Sequence, residues 1–491
     1  MDFYTTPFDY QAEDWELTKD KLTWAYFWGP GLGKSWINLN LARYHFEAGR
    51  IDAMLITAPN GVHANWITDE APAHLPPGFP WEGMIWWPAV VSHHWHNGVK
   101  ENLREFVNQK NRLLILATSY HAFLQDRSWA IIKQFLQERK VLWVLDESDD
   151  IGNPDALWSD RILRRAPLAV LRRIGTGSAY KDGSPLPFWS QFSFLHPDII
   201  GIPKYRAFKL KYAEWYMRPL PNKPYPQMIP VKDKRTGRQK FKNLDELKEK
   251  IGRRTSWRST EEHLKFLPEK LYNKRYVEMT QKQAEVYDRV RDEHELEFGD
   301  GFVRLIEIAM IVRLRQQQVV CGFYPRDGEE PEKRIEGPQL RLEATVDEVL
   351  RDPGQVIVWS RFRIDVTDLV RLLEPHVTVA RYDGGASARE KQEAKEAFQG
   401  RKLKVLVANQ AAMGRGLTYI TSHRAIFHSN YDRLLLREQA EGRQHRPGQH
   451  NAVLYTDIVC QQTTDESTIR ALRSKMNVAD YLAGRPHKEW I

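Results

Sequence analysis

Trp24 to Ile37 reads WAYFWGPGLGKSWI, a run of large apolar residues broken by glycines and followed by Lys34, Ser35 and a second apolar stretch. That order predicts a buried strand, a loop and the first turn of a helix. Gly31 and Gly33, either side of Leu32, free the backbone to bring N–H groups onto phosphate oxygens, and the helix turns its positive end toward the same anion. Lys34 supplies neutralising charge, and the Ser35 hydroxyl can ligate Mg²⁺. The longer G-x-x-x-x-G-K-[ST] pattern would have glycine where this chain has Trp28, so only the G-x-G-K-S core is intact. The reading is a nucleotide site; the alternative is a glycine-rich turn that happens to precede a lysine.

Length and composition bound what surrounds that loop. A chain of 491 residues with 42% apolar content can bury a large core and form two to four domain-sized units. Its net charge of +8 favours a polyanionic partner without requiring one. Two cysteines, Cys321 and Cys460, cannot make a disulfide framework and show no metal-type spacing. The start, MDFYTTPFDYQAEDW, has neither the basic region nor the apolar core of a signal peptide, and no apolar run approaches membrane-spanning length. The expectation is a soluble intracellular protein with no membrane partner.

Ahead of the loop, Pro7 to Leu17 is amphipathic and carries Tyr10 and Gln11. A glutamine amide offers the donor and acceptor that adenine recognition needs, although a surface glutamine is the plainer reading. Beyond the loop, AMLITAP at 53 to 59 and LLILAT at 113 to 118 are buried-type strands. Alternating buried strands and helices imply a parallel α/β sheet, which binds ligands at the carboxyl ends of its strands. Thr57 to Pro59 and Thr118 to Tyr120 should therefore line one rim. VLWVLDESDD at 141 to 150 delivers carboxylates at a strand end: Asp146 would hold Mg²⁺, and Glu147 would orient and deprotonate the attacking water. LRRIGTGSA at 171 to 179 ends another strand on Thr176, Gly177 and Ser178, and FWSQFSFLHPDIIG follows at 188 to 201.

From Pro203 to Leu267 the composition changes, with prolines from Pro219 to Pro230 and a basic run that includes Lys234, Arg235, Arg238, Lys240, Lys242, Arg253 and Arg254. Interleaved with Tyr212, Tyr225, Phe241 and Trp257, these suit phosphate contact; a solvated linker is the rival reading. A second set of buried strands follows, QVIVWS at 355 to 360, VTVARYDG at 377 to 384 and KVLVAN at 404 to 409, with no phosphate loop of its own. Ser387 and Glu390 form a capping box for a helix that stops near Gly400. His93, His94 and His96 could be imagined around a metal, but no cysteine or carboxylate partner is evident and a polar loop is the better reading.

Taken together, GPGLGKS at 29 to 35, LITAP with Trp66, DESDDIGNP at 146 to 154, TGSAYKDGSPLPFWSQFSFLHP from 176, LPEKLYNKRYVEMTQKQAEVYDRV at 267 to 290, VRLRQ at 312 to 316 and QAEGRQHRPGQ at 439 to 449 resemble the Swi/Snf-type ATPases of helicase superfamily two. The last string is the most specific. The resemblance implies an α/β protein of two tandem RecA-like parallel-sheet lobes with helical insertions: an ATP-binding lobe at 1–202, a basic, partly helical insertion at 203–266, and a helicase lobe at 267–491 with a further helical insertion at about 280–335. It implies an ATP-dependent double-stranded DNA translocase that hydrolyses ATP with Mg²⁺ at the interlobe cleft. Tyr10 and Gln11 would contact adenine, Gly416 and Gln439 would join Gly31, Leu32, Gly33, Lys34 and Ser35 around ATP, and Arg443 and Arg446 would be arginine fingers on the transferring phosphoryl group. Thr176, Gly177 and Ser178 would couple nucleotide to DNA, whose track Pro59, Thr118, Ser360, Arg361 and Asn409 would line. Two positions depart from the family pattern, Asp149 for the usual His or Gln and Ala179 for proline, and leave that coupling open. A strand-separating or fork-remodelling helicase and a DNA-binding clamp with a vestigial ATPase are the alternatives. The expected partner is duplex or forked DNA and the expected state a monomer, in the cytoplasm or nucleoid of a prokaryotic or phage-infected cell, serving replication, recombination or repair.

Overall fold

Strands buried on both faces read as unbroken apolar runs, and in this chain such runs recur at helix-length intervals. The computed structural model describes residues 2–60, 62–86, 105–177, 184–219, 227–232, 239–295, 302–324, 333–413, 418–470 and 472. These divide into two compact units, one ending at Lys265 and the other starting at Phe266.

The first unit contains β1 (Thr23–Trp28), β2 (Ala53–Ala58), β3 (Trp81–Trp86), β4 (Leu113–Ser119), β5 (Val141–Asp146), β6 (Leu171–Gly175), a separate antiparallel pair of β7 (Trp215–Arg218) and β8 (Gln227–Pro230), and β9 (Thr255–Arg258). Seven of them make one parallel sheet in the order β3-β4-β2-β5-β6-β1-β9. Because the strands run the same way, the phosphate loop after β1, Pro59 after β2, Asp146 at the end of β5 and Thr176 after β6 all emerge on one rim. Phe27, Leu55, Leu116 and Trp143 fill the core with Phe188 and Phe192 from the helix Phe188–Leu195.

Residues 203–265, read from composition as a basic insertion between lobes, fall within this first unit, and β9 pairs along β1 from Ala25–Thr255 to Trp28–Arg258. Two aromatics expected to interleave with its basic side chains are core residues instead. Tyr212 is fully buried, and Trp257 packs on Phe27 with ring centroids 4.7 Å apart. Large rings with an apolar face available gain more from burial than from solvent. Tyr225, Lys234, Arg235 and Arg238 lie outside the described residues.

The second unit has β10 (Lys270–Val277), β11 (Val356–Ser360), β12 (Val379–Tyr382), β13 (Val405–Asn409), β14 (Arg424–Phe427) and β15 (Val453–Cys460), all parallel, in the order β10-β15-β14-β11-β13-β12. The stretch read as a helical insertion contains the helices Gln281–Glu295 and Phe302–Val320. The capping box forms as expected: Glu390 N donates to Ser387 Oγ at 3.2 Å and Ser387 N to Glu390 Oε2 at 2.7 Å, and Gly400 closes the helix. Among the described residues no helix is long and apolar enough to cross a membrane.

Candidate active site

β1 ends on the buried Trp28, and the loop after it turns through Gly31 (φ 78°) and Gly33 (φ 80°), both in the left-handed region that side chains resist. Gly33 caps the helix Lys34–Glu47, whose first turn receives no side-chain cap, leaving its N–H groups for an anion. The loop is braced from two sides. Tyr10 Oη and Gln11 Nε2 each donate to the Leu32 carbonyl at 2.9 Å, while Gln11 Oε1 accepts from Phe8 N. Opposite, Gly29 N donates to Arg258 O and Thr260 Oγ1 to Pro30 O, both at 2.9 Å. Arg258 in turn pairs with Asp14 at 2.8 Å and Glu13 at 3.1 Å on the helix Asp9–Thr18. A side chain at Gly29 would overlap Thr260, and one at Gly33 the Gln11 amide. Tyr10 and Gln11, expected at adenine, are thus buried against the phosphate loop itself; burial raises the Tyr10 hydroxyl well above its ordinary pKa and keeps it a donor.

Two carboxylates follow β5. Asp146 Oδ2 accepts from Trp66 Nε1 at 3.0 Å, and the Asp146 carbonyl accepts from Tyr120 Oη at 2.8 Å. Burial, and next the adjacent Glu147, push the Asp146 carboxyl up to about 6, against the pull of Lys34 and of the Trp66 bond. Glu147 is one of the few non-glycine residues in the left-handed region, at φ 52° and ψ 56°, a conformation that costs on the order of 1–3 kcal/mol. Its Oε2 accepts from Thr176 Oγ1 at 2.9 Å and from Gly177 N at 3.4 Å. The same Thr176 hydroxyl lies 3.1 Å from Asp149 Oδ1, so the family departure at Asp149 sits inside the hydrogen-bond chain that positions Glu147. Lys34 Nζ donates to Trp28 O at 2.9 Å and lies 3.5 Å from Gly29 O, at the base of the loop.

These residues fit a nucleotide with Mg²⁺: the Ser35 hydroxyl and the Asp146 carboxylate are hard oxygen donors, and Asp146 is short of positive charge. Ser178 and Gly416 lie outside the described residues, as do Ala179, His93, His94 and His96. Pro59 stands on the rim, whereas Thr118 is fully buried beneath it and offers no surface for DNA.

In the second unit QAEGRQHRPGQ belongs to a hydrogen-bonded scaffold. Just before it, Arg437 lies over the Phe427 ring at 3.4 Å, reaches Asp457 at 2.6 and 3.1 Å, and reaches Glu441 at 2.7 Å. Gln444 Nε2 donates to Ser422 Oγ and Arg424 O, and Gln449 Nε2 to Ser422 O. Arg446 donates to Thr418 Oγ1 at 3.0 Å and to Gly442 O. Arg443 is largely buried, near enough to Tyr382 and Tyr419 to oppose the rise that burial gives their hydroxyls. Gln439 Nε2 is buried with no acceptor among the described residues.

Of the expected DNA-track residues here, Ser360 is fully buried and bonded within its own unit, and Asn409 bridges Arg361 O at 2.7 Å to the N–H groups of Ala411 and Ala412. Both shape the turn that carries Arg361, whose guanidinium lies over Phe362 and Tyr431 and bonds Gln317. Trp66, quoted in a motif, and Tyr120, expected on the rim, both bond Asp146, whereas Arg258 and Thr260 support the first site without having been assigned a role from sequence. Arg258 and Thr260 act across more than 200 residues of chain; Arg258 ends the short β-prone run TSWR, and Thr260 starts the helix Thr260–His263.

Residues 29–321 match the family described as SNF2-related domain, and residues 341–448 match the helicase conserved C-terminal domain. An ATP-dependent helicase of Mycoplasma genitalium is 22% identical over 388 residues, covering 77% of this chain and 33% of that protein. The ATP-dependent helicase/translocase YwqA of Bacillus subtilis is 23% identical over 355 residues, covering 71% and 36%. The chain spans about a third of the length of these curated relatives. A solved structure described as the Sulfolobus solfataricus SWI2/SNF2 ATPase core in complex with dsDNA aligns over 98% of this chain and 94% of its own at 19% identity, with a TM-score of 0.41.

Proposed function

The chain belongs to the SNF2-related domain family, and from that premise we propose that it is a DNA-dependent ATPase that moves along duplex DNA without routinely separating the strands. The observation that carries the hydrolytic part is the strained Glu147, held by Thr176 beside Asp146 on the rim of the phosphate loop. In this reading the loop N–H groups and Lys34 hold the terminal phosphates of ATP, and Ser35 and Asp146 hold Mg²⁺, which when bound screens phosphate charge. Glu147 takes the proton of the attacking water, and Thr176 keeps its carboxylate aimed. Arg443 and Arg446 contribute charge to the transferring phosphoryl group. Tyr10 and Gln11 contact adenine while their bonds to Leu32 link that contact to the loop. Arg361 makes the DNA contact at its rim, with Pro59 on the first unit.

The test is ATP hydrolysis by the purified chain alone and with single-stranded DNA, plain duplex, forked DNA and RNA at one fixed salt concentration, since phosphate binding depends on salt. Strong stimulation by plain duplex, with no strand displacement, is expected. Stimulation by forks or single strands alone would replace translocation with fork remodelling or unwinding, and no hydrolysis under any condition would leave a DNA-binding protein with a vestigial site.

A further inference from the structure

Away from the nucleotide residues, three buried side chains of different chemistry meet in the second unit. Cys321 follows the helix Phe302–Val320, Asp365 lies in the helix Arg363–Leu373, and His428 directly follows β14. One ligand atom from each, the Cys321 sulfur, an Asp365 oxygen and a His428 ring nitrogen, lies within 4.8 Å of the others, and all three residues are buried.

Hydrogen bonding fixes how His428 faces the other two. Thr345 Oγ1 donates its single hydrogen to Arg341 O at 2.8 Å. The 2.8 Å contact between Thr345 Oγ1 and His428 Nδ1 must then have the imidazole as donor, so Nδ1 carries hydrogen and a neutral His428 presents a bare lone pair at Nε2. That lone pair points into a fully buried space, 3.4 Å from Asp365 Oδ2, itself an acceptor. Two acceptors facing each other repel unless a proton or a cation lies between them.

The surrounding charges are matched in pairs. Arg341 meets Asp465 at 2.6 Å, Arg371 meets Asp368 at 3.1 Å, and Arg334 is shared between Asp365 and Asp368, both at 2.8 Å; the Arg334 pair uses Asp365 Oδ1, and Oδ2 is the oxygen that faces His428. A proton there would either make His428 an imidazolium, which burial opposes, or make Asp365 a carboxylic acid, at the expense of its ion pair with Arg334 at 2.8 Å. The third member, Cys321, is a sulfur donor that a proton on His428 would not engage. A carboxylate, a thiol that burial keeps protonated until metal displaces its hydrogen, and an imidazole whose far N–H is fixed by a hydroxyl make a borderline-soft donor set with its outer hydrogen bond already in place.

We propose that Cys321, Asp365 and His428 bind one Zn²⁺ ion. The ion is coordinated by Cys321 Sγ, an Asp365 carboxylate oxygen and His428 Nε2; the proton of the Cys321 thiol and any proton on the other ligands leave to solvent as it enters. Zinc–ligand distances of about 2.0–2.3 Å put neighbouring donors roughly 3.3–3.8 Å apart, so from separations within 4.8 Å the three must close by at most about 1.5 Å. Ser360 Oγ, 3.4 Å from Asp365 Oδ2, is a further oxygen donor beside them. Bound there, the ion ties two helices to the end of β14, beneath the turn that carries Arg361.

The test uses the full chain purified without chelator from zinc-supplemented cells, with metal per chain read by mass spectrometry, and a cobalt-grown preparation scanned for the thiolate-to-cobalt charge-transfer band. One zinc per chain, lost in Cys321→Ser and in His428→Gln, is expected, and the cobalt band should survive Cys460→Ser. If Cys321→Ser does not fold, the Cys460→Ser chain decides: zinc and band retained support the site, and a lost band assigns the thiolate to Cys460 and overturns it. Protein free of zinc overturns the proposal, and so does zinc that stays bound in Cys321→Ser, for which His93, His94 and His96 are then the candidate ligands.

Discussion

The rim around the phosphate loop and the helix end around Arg437 are built from the same residue types and use them in opposite ways. At the rim Asp146 and Glu147 stand side by side, one pushed up in pKa and the other in a strained backbone, with one threonine hydroxyl between Glu147 and Asp149. Around Arg437 each charge meets its counter-charge: Asp457 and Glu441 hold the guanidinium, and Tyr272 Oη donates to Glu441 Oε2 at 2.8 Å. A region left short of positive charge is suited to receive a ligand that brings it. A region already neutralised is suited to hold shape.

Substitutions can break that contrast. The largest effect is expected at Arg446, which borders the neutralised region: Arg446→Ala should lower kcat for ATP by about 10³–10⁵-fold, as removal of an arginine finger does. If it lowers only the melting temperature, the whole second region is scaffold. Glu147→Gln should reduce turnover by about 10²–10⁴-fold while ATP binding, read by equilibrium dialysis, persists. Unchanged turnover would remove Glu147 as the base. Arg437→Met should destabilise the second unit by about 3–5 kcal/mol in urea unfolding, because Asp457 and Glu441 lose their buried partner; a loss within experimental error would mean that those carboxylates are solvated.

Asp146→Asn tests the other side with the smallest effect. The Asp146 pKa of about 6 lies above the ordinary aspartate value of 3.8, so ionisation disfavours the fold fully above pH 6 and not at all below about pH 3.8. In metal-free buffer the variant should therefore melt slightly higher than the parent at pH 7.5, with the gain gone near pH 3.8. A lower melting temperature at pH 7.5 would show the carboxylate to be paired after all.

How much of this could be read in advance depended on where each residue's partner lies. The central strands announced themselves, since AMLITA, LLILAT and VLWVLD are buried on both faces and need no alternation. The placement of Lys34, Asp146 and Glu147 beyond the ends of buried strands is legible because those strands are apolar runs. The short strands β9 and β14 were not, being four residues each with an arginine at one end. Nor were the braces Thr260 and Tyr10, which act on backbone carbonyls that a sequence does not display. Thr118 and Ser360 sit at strand ends where a ligand-facing side chain is expected, but whether such a side chain points up or inward is decided by packing from other elements.

The pairing of β9 with β1 has a consequence for how the chain is made. Until residue 258 has left the ribosome, the strand that carries the phosphate loop is an open edge, apolar and six residues long, with its last neighbour still missing. Closing that edge joins segments roughly half the chain apart, and such long-range pairing folds slowly and leaves intermediates prone to association. A fragment stopped at 202 would keep Lys34, Asp146, Glu147 and Thr176 and still expose the side of β1 that β9 covers, an invitation to pair with another copy of itself.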